Sequence, residues 1–233
     1  MKHVVLLAAV LLAVGCQNYP YETNKVESKS WSAAGIDAIE VQVNYGAIAV
    51  AGSADTIVTA DFTKYCKGKS DSDAKAHLDD IVTADSISGR TLFVHADVPT
   101  PNQRGYSANT AIAAPARTGL HLNAANGAIT INNYRGNLSV QAPNGRISAD
   151  MAAVDSGTII NLNSSNGVVE LAVPADASLA FDASTANGRV EVPGFSNVTY
   201  TRDETKHKIG VIGSGHATAT LVASNGRVTI RVR

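Results

Sequence analysis

The chain has 233 residues, of which 45% are apolar, 17% charged and 5% aromatic, with a formal net charge of −1 at pH 7. So even a charge balance offers no electrostatic footprint for nucleic acid, and the apolar content excludes general disorder. With few aromatic side chains, Ala, Val, Ile and Leu must fill the interior, which suits a narrow, repetitive core.

The chain opens with MKHVVLLAAVLLAVGC. Lys2 precedes an unbroken apolar run over residues 4–14, too short for a membrane-crossing helix, which needs about 20 residues. A basic start, a short apolar run and small residues at its end describe a secretory signal peptide. The segment Leu12-Ala13-Val14-Gly15-Cys16 resembles the lipobox of bacterial lipoproteins. That resemblance implies removal of residues 1–15, acylation of Cys16 and attachment to a membrane through several acyl chains. Gln17, rather than Asp, follows the cysteine, which resembles lipoproteins sent on to the outer membrane of Gram-negative cells.

Cys66 would be the one cysteine left besides Cys16, so no intramolecular disulfide is expected. Only Lys64 and Lys67 stand near it, and buried filler is the expected role. Residues 16–33, the acylated Cys16 and the polar stretch after it, have no clean period and read as a tether. A folded domain over 34–233 follows. IEVQV and AIAVAG alternate on either side of Asn44-Tyr45-Gly46, and IVTADF and LFVHADV are further strands. SDSDAKAHLDDIV, residues 70–82, is the one helix expected, capped by Ser70 or Ser72 with Ala74, Leu78 and Ile81 on one side. Residues 99–118, rich in Pro, Asn and small residues, read as a loop.

From Leu120 onward a repeat is plain. Asn-Gly begins at 126, 144, 166, 187 and 225, each time followed two residues later by Ile or Val. The last gap is about twice the others, so one copy has lost its turn near 206–208. Leu120, Leu122 and Ala124, then Ile129 and Ile131, form one apolar face, while His121, Asn123, Thr130 and Asn132 form the other. Leu138, Val140, Ile147 and Ala149 repeat the pattern, as do Leu221, Ala223, Val228, Ile230 and Val232. Asn and Gly are expected to supply positive-φ corners. No unit of this size buries enough to stand alone, so neighbours must share hydrogen bonds and a core. Two all-β architectures fit: a single-chain parallel β-solenoid of roughly 20-residue coils, or an antiparallel β-sandwich built from Asn-Gly hairpins.

IEVQVNYGAIAVAGSADTIVTADF, SISGRTLFVHADVP and IGSGHATATLVASNGRVTI together resemble a bacterial putative-adhesin family of extracytoplasmic proteins, over residues 36–233. The resemblance implies a β-solenoid, but its motifs are structural punctuation and fix no active site. The loop at 99–118 and the missing turn near 207 depart from the pattern.

Motifs for chemistry are weak. GVIGSG, residues 210–215, lacks the spacing and the Lys-Ser/Thr of a phosphate loop, and reads as turn glycines. None of the six histidines has an i, i+4 partner, and His95-Ala96-Asp97 alone is a poor metal pattern, so no metal and no cofactor are expected. Asp79 and Asp80 read as a solvated helix face. Asp150, Asp155 and Asp182 are the candidates for a polysaccharide-cleaving enzyme on a β-helix, although no acidic pair repeats at the coil period. Arg146, Arg189 and Arg227 follow three of the Asn-Gly turns. Stacked coils would space them about 10 Å apart, a cationic column for an anionic glycan, or a corner that repels edge association. Arg231 and Arg233 are expected to cap an exposed last strand. The reading is a non-catalytic, lipid-anchored cell-envelope β-solenoid that presents a polar surface for adhesion or scaffolding. A polysaccharide-processing enzyme and an envelope assembly partner are the alternatives.

Overall fold

A computed structural model describes residues 19–233. In chain order the strands are β1 (Tyr21–Ser32), β2 (Ala38–Tyr45), β3 (Ile48–Ser53), β4 (Ile57–Gly68), β5 (Val82–Ser88), β6 (Thr91–Asp97), β7 (Ser107–Pro115), β8 (Gly119–Asn126), β9 (Ile129–Tyr134) and β10 (Leu138–Gln141). They continue as β11 (Ile147–Met151), β12 (Ile159–Ser164), β13 (Val169–Val173), β14 (Leu179–Asn187), β15 (Val190–Glu191), β16 (Val198–Asp203), β17 (His207–Ile212), β18 (Ala217–Asn225) and β19 (Val228–Val232). Helix α1 (Asp71–Ala76) runs into a 3₁₀ turn at Leu78–Asp80.

The strands form two sheets. Sheet A has the order β1-β4-β7-β3-β9-β11-β13-β19-β15, and sheet B the order β16-β17-β14-β18-β12-β10-β8-β2-β6-β5. A coil places one strand in sheet B, turns a corner and places the next in sheet A; β8 with β9, β10 with β11 and β12 with β13 are three such levels in chain order. Within the body the neighbours are parallel, so the solenoid and not the antiparallel sandwich is the architecture. Antiparallel pairing is confined to the ends, at β1–β4, β4–β7, β5–β6, β14–β17 and β16–β17.

The register makes the core a set of columns. Leu120, Leu138, Ile160 and Ala219 stand side by side, as do Leu122, Val140, Leu162 and Leu221, all buried. Inward positions of the body therefore meet apolar side chains on the neighbouring levels, which is how small side chains reach interior packing density. Val232, expected inside, is only half-buried.

Chain order and stacking order part company at both ends. The first coil, β2–β3, lies one level in, because β6 and β7 stack outside it. At the other end β14 and β15 form the outer level, and the last strands return to insert between them and β12–β13. Strand β19 is therefore paired with β13 along its length but with β15 only at Val228 and Thr229; that second pairing stops short of Arg231 and Arg233, which bind Glu170 and Asp150.

Other expectations are revised. Residues 21–32 are not tether: β1 pairs along its whole length with β4, from Tyr21–Gly68 to Ser32–Ile57. As an edge strand it needs no apolar alternation, and its sequence shows none. The stretch 99–118 is not all loop, since β7 forms within it and buries Ala108, Thr110, Ile112 and Ala114. The unit that lost its turn near 206–208 is not a degenerate coil but an antiparallel hairpin, β16–β17, laid against β14. The helix forms as expected, with the Ser70 hydroxyl accepting the Asp73 N–H at 3.1 Å and Ala74, Leu78 and Ile81 buried against the end of the core.

Candidate functional site

Where each coil turns from sheet B to sheet A, the Asn-Gly corners stack. The Asn187 side-chain amide donates to Asn225 Oδ1 at 2.9 Å, Asn225 to Asn166 at 2.9 Å, Asn166 to Asn144 at 3.1 Å and Asn144 to Asn126 at 3.3 Å. Asn126 then donates to the Asn44 carbonyl at 3.1 Å, and Asn44 closes the ladder by exchanging two hydrogen bonds with the Val98 backbone. Each asparagine donates to one neighbour and accepts from the other, which a carboxamide can repeat from level to level along the column.

The glycines beside them answer a different need from the one expected. None of Gly127, Gly145, Gly167, Gly188 and Gly226 has a positive φ. Instead a Cβ on Gly127 would fall 1.9 Å from the Gly46 carbonyl oxygen, and one on Gly145 would fall 1.9 Å from that of Gly127. The corners sit too close for any side chain. This corner holds the coils together and offers nothing to a ligand.

The three arginines after the turns are not evenly spaced. Arg189 and Arg227 lie on adjacent levels through β15 and β19, while β13 separates Arg146 from that pair. Nor are they a free cationic column. Arg146 and Arg231 both bind Glu170, at 2.5 and 2.6 Å, and Arg189 and Arg227 flank Glu191 at 2.7 and 3.8 Å. The Arg231 guanidinium, with Arg146 beside it, holds the Glu170 carboxyl below its usual range in spite of its burial. With two guanidinium groups on each glutamate, this side of sheet A is a lattice of ion pairs that keeps a surplus of positive charge.

The outward face of sheet B differs. Register sets two rows of side chains across its middle strands. One runs through Phe93, Glu40, His121, Ser139 and Asn161, the other through His95, Gln42, Asn123, Gln141 and Asn163. Gln42 donates to Glu40 at 2.9 Å. Among the described residues the side chains of His121, Asn123, Ser139, Gln141, Asn161 and Asn163 bind no other protein group. Two shallow hollows lie in this face, about 230 and 300 Å3, which share His121 and Ser139; Ala38 and Gly119 leave the second one open. These residues were not singled out as a site from sequence. The signal lay in the outward positions of LHLN, LSVQ and INLNS, but only the register shows that they adjoin.

The catalytic candidates do not converge. Asp150 pairs with Arg233 at 2.8 Å on sheet A, Asp182 with His207 at 2.8 Å on sheet B, and Asp155 with Arg117 at 2.7 Å in a connection. Among the described residues no three His, Cys, Asp or Glu side chains gather as metal ligands, and no helix is long and apolar enough to cross a membrane. Gly213 and Gly215 of the GVIGSG segment have positive φ and make a turn. Cys66 is fully buried, and burial pushes its thiol pKa up, away from the nucleophilic thiolate. Asp80 is not idle surface: it accepts from the Tyr106 hydroxyl at 2.7 Å and contacts His77 Nδ1 at 2.7 Å, which tie the 3₁₀ turn to the start of β7. Cys16 lies outside the described residues.

Comparison with solved structures finds the same fold in a structure described as a putative cell adhesion protein from Clostridium sporogenes. It is 11% identical, with a TM-score of 0.64, over 91% of this chain and 100% of that one. Structures described as putative adhesins from Bacteroides fragilis and Parabacteroides distasonis superpose less well. Their TM-scores are 0.34 and 0.24, at 11% and 13% identity, each over 90% of this chain and 97% of theirs. No curated protein matches the sequence. The match that decides kinship is to a family model: it takes in residues 15–231, nearly all of the coil body, and the chain belongs to the Toastrack DUF4097 family.

Proposed function

We propose that the protein is a non-catalytic binding module of the cell envelope, anchored by lipid at Cys16, whose sheet B face makes the contacts of adhesion or scaffolding. One observation carries this reading: a flat, register-aligned set of polar side chains spans β2, β8, β10 and β12 with its hydrogen-bonding capacity turned outward. Separately paired carboxylates and the absence, among the described residues, of a converging acid–base set support binding over turnover. The description of the C. sporogenes structure as a putative cell adhesion protein agrees with it.

Anchoring gains a constraint from β1. With pairing begun at Tyr21, the five residues from an acylated Cys16 reach at most about 18 Å. The body would ride close to the bilayer and not swing on a long leash. The anionic-glycan role for Arg146, Arg189 and Arg227 loses ground, since Glu170 and Glu191 already occupy them.

The test is adherence of cells that carry the full chain, its deletion, or the double variant His121→Ala/Gln141→Ala. Adherence reduced to the deletion level by the double variant supports the reading, and adherence unchanged by the deletion overturns it. Fractionation of Cys16→Ser checks the anchor: the variant should leave the membrane fraction.

A further inference from the structure

We propose that the two adjoining hollows of sheet B form a binding site for an uncharged, hydroxyl-rich chain, a neutral glycan, laid across the strands. The inference rests on the binding-module reading and gives its ligand a chemical class.

Three features of the face select that class. The first is hydrogen-bond type. Asn123, Gln141 and Asn161 each present a carbonyl oxygen and an amide N–H2, while His121 and Ser139 also both donate and accept. A sugar hydroxyl does the same, so each station can be met in either sense. A carboxylate or sulfate group offers only acceptors, so wherever one replaces a hydroxyl the donating half of a station is left unused.

The second is charge. Across β2, β8, β10 and β12 the one ionised side chain in the two rows is Glu40, already held by Gln42. The guanidinium groups of Arg146, Arg189, Arg227 and Arg231 lie on the other sheet, in ion pairs. An acidic polymer would meet two carboxylates here, Glu40 and the Asp37 that lines the larger hollow, while the Arg90 guanidinium is already engaged by Asp37.

The third is shape. Strands repeat at about 4.8 Å, comparable with one ring of an extended sugar chain, so successive rings can meet equivalent stations on successive strands. Ala38 and Gly119 open the floor of the larger hollow, where the C–H face of a ring can rest against backbone. Phe93, half-buried in the same row beyond Glu40, offers an aromatic face at one end.

The experiment is affinity electrophoresis of the full chain, in mild detergent, through native gels containing dextran, mixed-linkage β-glucan or galactomannan, with polygalacturonate as the acidic control. Retardation by at least one neutral polymer is expected, with apparent affinity falling about tenfold in His121→Ala/Gln141→Ala. Gly119→Leu keeps every polar group but fills the hollow, where a Cβ has room at 3.4 Å from its nearest neighbour, and should weaken retardation as well. His121 and Gln141 are exposed and Gly119 is half-buried, and unaltered thermal melts exclude misfolding as the cause. No retardation by any neutral polymer, retardation untouched by both variants, or retardation by polygalacturonate alone overturns the proposal. If the variants abolish adherence while no neutral polymer retards the chain, the ligand class is wrong and the binding-module reading survives. If adherence ignores deletion of the chain, that reading fails by itself.

Discussion

A glycine can be required by its torsion or by its surroundings, and this molecule separates the two. Gly145 has an ordinary φ, yet an added methyl would overlap the Gly127 carbonyl, so Gly145→Ala must pry two corners apart and break the asparagine rung beside them. A loss of about 2–3 kcal/mol in urea denaturation is expected. Gly89, with φ of +60° and open space around it, bears only torsional strain. Gly89→Ala should cost about 1 kcal/mol. Equal losses at the two sites would refute the crowding argument. Tyr134 gives a second check. Fully buried, it donates its hydroxyl to the Thr118 carbonyl at 2.7 Å, and Tyr134→Phe should cost about 1–2 kcal/mol, read from the same denaturation curves. The Asn-Gly pairs were visible in the sequence as turns. Their reason for being glycine was not, because contact between coils distant in sequence exists only after stacking.

Among the elements, the two edge strands at one end show how polarity can seal a core. Glu27 of β1 binds the buried Lys64 of β4 at 2.8 Å and accepts from Thr83 of β5; Asp85 of β5 accepts from Lys29 at 2.9 Å and from the Trp31 indole at 2.9 Å. This seam joins sheet A to sheet B where no further coil covers the aliphatics. Lys64 holds Glu27, and Lys29 with Trp31 holds Asp85, below their usual pKa values of 4.5 and 3.8. A carboxyl whose folded pKa is depressed contributes stability fully above its unfolded pKa and loses it as pH falls through the folded one. The thermal midpoint should therefore hold from neutrality to about pH 5 and drop below about pH 4.5. Glu27→Gln/Asp85→Asn should be less stable at pH 7 and show a flatter acid limb; an unchanged acid slope would remove the seam from the account. Sequence reading placed β1 in a tether because its partners are charged groups 37 to 56 residues away, which no local period announces. Helix α1 was legible, since its cap and buried side are local.

For the molecule as a whole, alternation and spacing left solenoid and sandwich both open and the family resemblance implied the solenoid, but none of these disclosed the order of its levels. All Asn-Gly corners are chemically alike, so Asn225 could be assigned to the end of the ladder as readily as between Asn166 and Asn187, where it lies. The placement matters for stability. A chain ending at residue 213 would lack β18 and β19, which bridge β12–β13 to β14–β15. It should fail to unfold cooperatively and be cut rapidly by protease, unlike a repeat array trimmed of an end unit. A single sharp transition in that truncation would contradict the topology. The polar rows of sheet B were likewise out of reach of sequence reading, since adjacency across strands depends on register.

The returning last coil also sets a gauge on the molecule. A unit appended after residue 233 would issue beside β13, at a level that β14 and β15 already overlie, so copying a repeat onto the tail does not simply lengthen this body. New levels can be spliced in only where chain and pile advance together, between residues 119 and 173. Relatives taller or shorter than this one should owe the difference to that stretch, with their doubled-back extremities left as they are.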